Sequence, residues 1–370
     1  MTRQVGNIGL LVMVLTMILA CDNKNRATHF DWQQLPKLPD AVGFAGAFAG
    51  VSNGHLLVAG GANFPEGTRS WTGGIKQWSD KVFAFDKQTG SWKVVGALPR
   101  PIGYGVSLNW KDRLIVLGGD DQQRHYADAY VLRYQADQLL IDSLPALPAP
   151  IANACGALVG DVVYVAGGIH SPTATDVFWA LDLGKPEAER QWEVLETWPG
   201  APRMLSVAGT LDGAFYLMSG VSLHETDSLP SRNYLTDAYR YVADKGWQKI
   251  ADLPHAVAAA PSPAYAGSNQ LMVFGGDDGS LAEQNNTLKD EHPGFTTDIL
   301  RYDLTAESWR REGVVGTDIR PDAAADPNAS TWAPVTTPLV VWQDAIVLPV
   351  GEVRPGVRTN RILMATLAEK

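Results

Sequence analysis

The sequence predicts an all-β protein, a six-bladed β-propeller, on three observations. An apolar run that closes on two small or backbone-adaptable residues recurs six times along the 370-residue chain. Each run is followed by a polar loop and then by a second strand-like segment opened by Asp or Asn. A third segment, often carrying Trp, then leads into a Leu-Pro or Trp-Pro turn that starts the next unit. Short strands punctuated by Gly and Pro, repeating about every 50 residues, are the pattern of propeller blades. Length alone would suggest two or three domains. No segment after the N-terminal leader sustains a 3.6-residue apolar stripe, however, which excludes an α/β alternative.

The elements follow in order. The runs are Leu56-Leu57-Val58-Ala59-Gly60-Gly61, Leu114-Ile115-Val116-Leu117-Gly118-Gly119 and Val162-Val163-Tyr164-Val165-Ala166-Gly167-Gly168. Phe215-Tyr216-Leu217-Met218-Ser219-Gly220, Leu271-Met272-Val273-Phe274-Gly275-Gly276 and Ala345-Ile346-Val347-Leu348-Pro349-Val350-Gly351 complete the set. The paired small residues let the backbone turn tightly where blades crowd the axis. The next strands open at Asp80, Asp128, Asp176, Asp237, Asp298 and Asn360; the outer strands carry Trp92, Trp192, Trp247 and Trp309. Acidic residues recurring in one register point to structural capping rather than catalysis. The last blade reaches Lys370 after its third strand, whereas Phe30-Asp31-Trp32-Gln33-Gln34-Leu35-Pro36 has the form of an outer strand with nothing before it. The N-terminal strand is therefore expected to close the C-terminal blade. The expectation is one domain over residues 30–370, a propeller of Kelch type.

In an antiparallel meander, the second-to-third strand loop and the loop to the next blade emerge on the same face. That face would gather Glu352, Arg354, the loop Asn63 to Trp78, Asp120 to His125, His170 and His224 to Arg232. Arg100, Arg203 and His255 would join them. Loops on a rigid scaffold are where propellers carry function, and residues just after the small pair lie nearest the axis. Glu352 is such a residue, with Arg354, Arg358 and Arg361 behind it. A loop glutamate is more often merely solvated, and exposed arginines contribute little through surface pairs. Trp71, Trp78 and Trp332 fall outside the repeating Trp position and suit either sugar stacking or burial between blades. Asp277-Asp278-Gly279 opens a polar insertion to Phe295 without a calcium-loop pattern, a flap or plain loop. The seven histidines have no zinc spacing, so no metal is expected.

Charge and the termini narrow the class further. A net charge of −10 and no basic run argue against nucleic acid. Arg3 precedes the apolar stretch Ile8 to Ala20, too short for a stable membrane span. Its end, Ile18-Leu19-Ala20-Cys21, resembles a bacterial lipoprotein signal. The expectation is a signal peptide over 1–20, a tether over 21–29, lipidation at Cys21 and a periplasmic, membrane-anchored domain. Secretory cleavage nearby, leaving a soluble periplasmic protein, is the alternative. Without Cys21 only Cys155 remains, so no internal disulfide forms.

Several stretches resemble the N-acetylneuraminate epimerase (sialic acid mutarotase) family. They are Gly43-Phe44-Ala45-Gly46 leading into Ala59-Gly60-Gly61-Ala62, the loop with Gly67, Arg69, Gly73-Gly74 and Lys76, and Arg100-Pro101-Ile102-Gly103-Tyr104-Gly105-Val106-Ser107-Leu108. The most specific is Gly351-Glu352-Val353-Arg354-Pro355-Gly356-Val357-Arg358-Thr359. The order, with the Gly-Glu motif last, resembles a cyclically permuted branch, which a closed ring tolerates. The resemblance implies that Glu352 accepts a proton and that Arg358 accompanies it, with Arg354 standing where the family has lysine. Anomer exchange of a 2-keto sugar acid needs proton transfer at the anomeric hydroxyl and ring oxygen, which a carboxylate can relay. It requires no cofactor. The substrate carboxylate calls for a guanidinium, Arg358 first, with Arg100 and Arg203 in reserve. Arg354, Arg69 and Asn63 complete the expected binding set. The expected partner is a small sugar acid such as sialic acid. The rival readings are a glycan- or protein-binding propeller without chemistry, and a copper radical oxidase, disfavoured because no His–Tyr cluster accompanies Cys155.

Overall fold

A computed structural model of the chain describes residues 29–170, 172–224 and 231–368. Among them are six four-stranded antiparallel sheets arranged as the blades of a propeller, with one short α-helix, Asn285–Leu288. Blade I comprises Phe48–Ser52, His55–Ala59, Lys81–Asp86 and Ser91–Ala97, and blades II to V repeat this meander. The expected signal peptide, Cys21 and the tether up to residue 28 lie outside the described residues, as does part of the loop from His224 to Arg232.

Blade VI is assembled from both chain ends. Its order places His29–Leu35 outside Ile362–Ala368, followed by Ala345–Pro349 and Val340–Trp342. Register runs from His29 opposite Ala368 to Leu35 opposite Ile362. A free strand edge is a liability, and this closure covers the outer edge of Ile362–Ala368. Phe30 anchors it, buried in the blade V–VI cluster with its ring 5.4 Å from that of Phe274. Phe30→Ala is expected to cost about 3 kcal/mol through the cavity it leaves; a lowered urea midpoint with unchanged slope would show it.

The core divides among the six blade interfaces. One apolar cluster joins each neighbouring pair, from blades I and II around Phe48 and Leu132 to blades VI and I around Val347 and Val58. The recurring outer-strand tryptophans act across the same boundaries. Trp92, Trp192, Trp247 and Trp309 donate their indole N–H groups to the carbonyls of Pro36, Pro145, Glu196 and Ala251 in the preceding blade's outer connection. This explains the repeat: each ring fills an interface while its N–H finds a backbone acceptor.

At the axis the chain forms a closed hydrogen-bonded circle. Gly46, Tyr104, Asn153, Leu205, Ala259 and Thr336, one per blade, have φ between 50° and 63°. Each N–H donates to the carbonyl of the preceding member, and Gly46 closes the circle on Thr336, all at 2.7–2.9 Å. Left-handed backbone is costly for non-glycine residues, most of all for β-branched Thr336. The side chains of this circle consequently stand at the centre of the molecule, where they floor the site described next.

Candidate active site

The six small pairs share one geometry, and it selects the residues that reach the axis. After the pair, the next residue bridges back to the segment entering the same blade: Ala62 to Ala45, Asp120 to Gly103, Ile169 to Ala152, Val221 to Met204, Asp277 to Ala258 and Glu352 to Val335. These are equivalent positions on one face, and three of them carry carboxyl groups. A cavity of about 680 Å³ opens there, lined by Glu352, Arg358, Asp120, Lys76, Asp277 and Arg232, among others. Its floor is the axial circle at Tyr104, Asn153, Leu205, Ala259 and Thr336.

Local sequence explains the placement of Glu352. Glu352–Arg354 pairs with Val357–Arg358 as a two-stranded ribbon, with Glu352 opposite Arg358. Pro355 and Gly356 form the turn, and Gly356 takes φ of 75°, the left-handed second position that such a turn assigns to glycine. A side chain there would also press on Trp71, 3.0 Å from the added Cβ. The turn aims the Gly356 N–H at Glu352 Oε1, 2.7 Å away. Arg358 Nη1 donates to the same oxygen at 3.4 Å, and the Thr336 hydroxyl donates to Oε2 at 3.4 Å.

Arg358 is nearly buried; Nη2 donates to the Tyr104 hydroxyl at 3.2 Å, and its guanidinium lies 5.0 Å over the Phe64 ring. Burial disfavours its charge, but the Glu352 carboxylate and Tyr104 outweigh that and hold its pKa above the ordinary value. Burial also pushes the Tyr104 hydroxyl up, against the pull of Arg358. Lys76 Nζ lies 4.4 Å from the Trp78 ring centre and 4.8 Å from that of Tyr104. Burial lowers the Lys76 pKa, with Asp120 opposing and Arg358 reinforcing the shift. On the side of blades IV and V, Tyr234 donates its hydroxyl to Asp277 Oδ2 at 2.9 Å, and burial, reinforced by Asp277, raises Tyr234 to about 12.

The structure therefore brings Glu352 and Arg358 together at the hub but leaves the other expected binding residues out of the cavity lining. Arg203 is fully buried and forks onto Asp237, with Nη1–Oδ1 and Nη2–Oδ2 distances of 2.8 and 2.7 Å. Arg100 pairs with Asp128 at 3.0 Å and stacks on Tyr126. His255 meets Asp298 in the same way at 3.3 Å. In three blades, then, the basic residue in the loop entering the blade staples the recurring acidic residue near the start of its third strand. Arg100 and Arg203, expected as reserve carboxylate clamps, are thus engaged in pairs within their own blades, and Asp128, Asp237 and Asp298 have a structural role.

Arg354, 1% exposed, stacks on Trp332 and donates to the Asp290 carbonyl; Arg69 reaches the Asp290 carboxylate at 3.3 Å. Both tie the polar insertion to the rim. Asn63 is buried and donates to Asp40 Oδ1 at 3.4 Å. The insertion itself supplies Asp277, Ala282, Asn285, Asn286 and Phe295 to the cavity wall. Trp332 and Trp71 pack with Val353 and Val357 rather than facing the cavity.

Asp120, Asp277, Lys76, Tyr104 and Thr336 were missed as site residues. The first two were within reach of the sequence, since they hold the same position after the small pair as Glu352. The others depend on the axial circle and on a loop fold that no spacing announces.

The profile of the family described as N-acetylneuraminate epimerase matches residues 20–141 and 144–290. An N-acetylneuraminate epimerase of Haemophilus influenzae (strain PittEE) is 30% identical over 236 residues, covering 58% of this chain and 57% of the relative. That of Yersinia enterocolitica is 43% identical over 112 residues, covering 26% and 28%. That of Pasteurella multocida is 34% identical over 128 residues, covering 30% and 34%. The matched regions span less than two thirds of each of these relatives.

Proposed function

Because this chain belongs to the N-acetylneuraminate epimerase family, we propose that it accelerates exchange between the α and β anomers of a sialic acid. The observation that carries this reading is the Glu352–Arg358 pair, held across a tight ribbon at the hub of a cavity of sugar size. Glu352 removes the proton of the anomeric hydroxyl as the bond from anomeric carbon to ring oxygen breaks and the carbonyl forms. Rotation about the adjacent carbon–carbon bond presents the other carbonyl face. The ring then closes, and the new anomeric oxygen recovers a proton from Glu352. Of Glu352's two oxygens, Oε1 is held by Gly356 and Arg358, while Oε2 has only the long Thr336 contact and serves as the working atom.

Arg358 contributes a permanently positive group beside that carboxylate and receives the substrate's own carboxylate, a pairing favoured where water is excluded. Lys76 supplies a second cation on the same wall. No cofactor enters this scheme. The activity is proposed to act outside the cytoplasm, on a domain exported by the signal over residues 1–20 and lipid-anchored through Cys21, converting α anomer to the β form. The direct test follows the α-anomer NMR signal after sialidase release, with and without purified protein. Faster decay is expected; decay at the buffer rate would remove the proposal.

A further inference from the structure

Anomer exchange needs protons moved at two oxygens, the anomeric hydroxyl and the ring oxygen, and Glu352 is one group. The propeller repeat supplies a second. Asp120 stands in blade II where Glu352 stands in blade VI: each follows its small pair, each bridges back to its own entering segment, and both line the same cavity. Two blade steps separate them, with Lys76 and Tyr104 on the same stretch of wall.

The Asp120 carboxyl is held at one end and free at the other. Trp78 Nε1 donates to Oδ1 at 3.0 Å, while Oδ2 has no protein hydrogen-bond partner among the described residues. Both backbone bonds to Gly103 are made, at 2.8 and 3.0 Å, so the side chain springs from a rigid point. The cap-forming acids of the fold behave otherwise: Asp121, its neighbour, spends its carboxylate on the N–H groups of Gln123 and Arg124 and on the Tyr126 hydroxyl. Among the described residues the Asp120 carboxyl caps no backbone N–H.

We propose that Asp120 is the second proton-transfer group of this site, giving a proton to the ring oxygen of the sugar while Glu352 takes one from the anomeric hydroxyl. The inference rests on the anomer-exchange reading above. In the opening step the bond from anomeric carbon to ring oxygen breaks, its electron pair stays on the ring oxygen, and the Asp120 proton joins it. The anomeric hydroxyl gives its proton to Glu352 and becomes the carbonyl oxygen. Ring closure on the other face reverses both transfers, leaving Asp120 protonated and Glu352 ionised as before. No oxidant or further reactant is required.

Protonation of Asp120 suits this role. Burial raises its pKa to about 6, against the Trp78 hydrogen bond and the Lys76 charge and with help from Asp121. The other charged or titratable groups facing the cavity are Glu352 and Arg358 of the blade VI ribbon, Tyr104 of the floor, and Arg232, Tyr234 and Asp277 of blades IV and V, while the His125 backbone bridges Asp120. An acid whose pKa lies near the working pH is the efficient choice for such a donor.

The experiment measures anomer exchange by NMR across the range from acidic to neutral pH, as acceleration over buffer at each pH, for the unaltered chain, Asp120→Asn and Trp78→Phe. Asn keeps the acceptor for Trp78 but cannot relay a proton. The unaltered protein should lose acceleration as pH rises through about 6. Asp120→Asn should be slower by about a hundredfold and lack that limb. Trp78→Phe removes a bond that lowers the Asp120 pKa, so its limb should move to higher pH. Asp120→Asn as fast as the unaltered protein, or slow with the limb in place, would overturn the proposal. A Trp78→Phe limb that stays or moves down would also overturn it.

Failure of the unaltered protein to accelerate exchange would instead bring down the anomer-exchange reading, and this proposal with it. Thermal melts add a readout that a structural role would not share. The raised Asp120 pKa means its charge disfavours the fold above about pH 6 and is without effect below the unfolded carboxylate range. Asp120→Asn should therefore melt higher than the unaltered protein at neutral pH and equally in acid. A lower melt at neutral pH counts against it.

Discussion

Glu352→Gln is expected to lower the acceleration of anomer exchange by about 10²–10⁴-fold, the usual worth of general acid–base help. The substitution is nearly isosteric. Gln keeps an oxygen for the Gly356 N–H, so the Pro355-Gly356 turn and the ribbon register should survive. What disappears is the proton acceptor and the charge facing Arg358, whose side chain is 5% exposed. Substrate should still bind, because its own carboxylate supplies the negative partner that Arg358 then lacks. Calorimetric titration with a sialic acid should thus show retained affinity alongside lost turnover. Equal acceleration by the variant and the unaltered protein would mean that Glu352 moves no proton.

The second large effect concerns stability. Arg203→Met should destabilise the propeller by about 3 kcal/mol or more, since removing one partner of a buried pair strands the other. Besides Asp237, the guanidinium serves the carbonyls of Ala201 and Ser219, and all three lose a donor. The pH dependence carries the sign. Burial opposes ionisation of Asp237, but Arg203 outweighs it and holds the carboxyl below its ordinary pKa. That stabilisation is present above the unfolded carboxylate pKa and is lost as pH falls through the folded one.

In Arg203→Met the burial contribution remains, opposed by the Tyr239 hydroxyl and a backbone hydrogen bond. The loss measured by urea unfolding should therefore be larger at neutral pH than near pH 4. Exchange activity per folded molecule should stay unchanged, because Arg203 does not line the cavity. A variant that folds normally but fails to bind sugar would restore Arg203 as a substrate ligand.

The two arginines show what separates local from distant information. Arg358 was nominated by the resemblance of the Gly351–Thr359 stretch, and in the structure its partner Glu352 lies six residues away across a two-residue turn of the same ribbon. Arg203 and Arg100 stood in reserve to it, cations on the correct face. Their partners Asp237 and Asp128 sit 34 and 28 positions further on, brought back by a whole hairpin. Arg354 is instructive too: strict alternation would put it on the Glu352 side, but the register shifts between the two, so Arg354 stands opposite Val357 and enters the packing around Trp332.

By itself the sequence determined the number of blades, the closure of the ring by residues near the N-terminus, and the place of Glu352 after the last small pair, while the family resemblance nominated Arg358. Each depends on periodicity or on neighbours within a few residues, and a repeat of strands can bury its apolar faces only against further copies of itself. Only the tertiary structure decided that Asp120, Lys76, Tyr104 and Thr336 share one cavity with them, and that five other expected ligands do not. The reason is geometric: six backbones meet in one hydrogen-bonded circle, so residues hundreds of positions apart become neighbours at the axis. Which side chains turn inward there is set by left-handed backbone and charge pairing that no single blade contains.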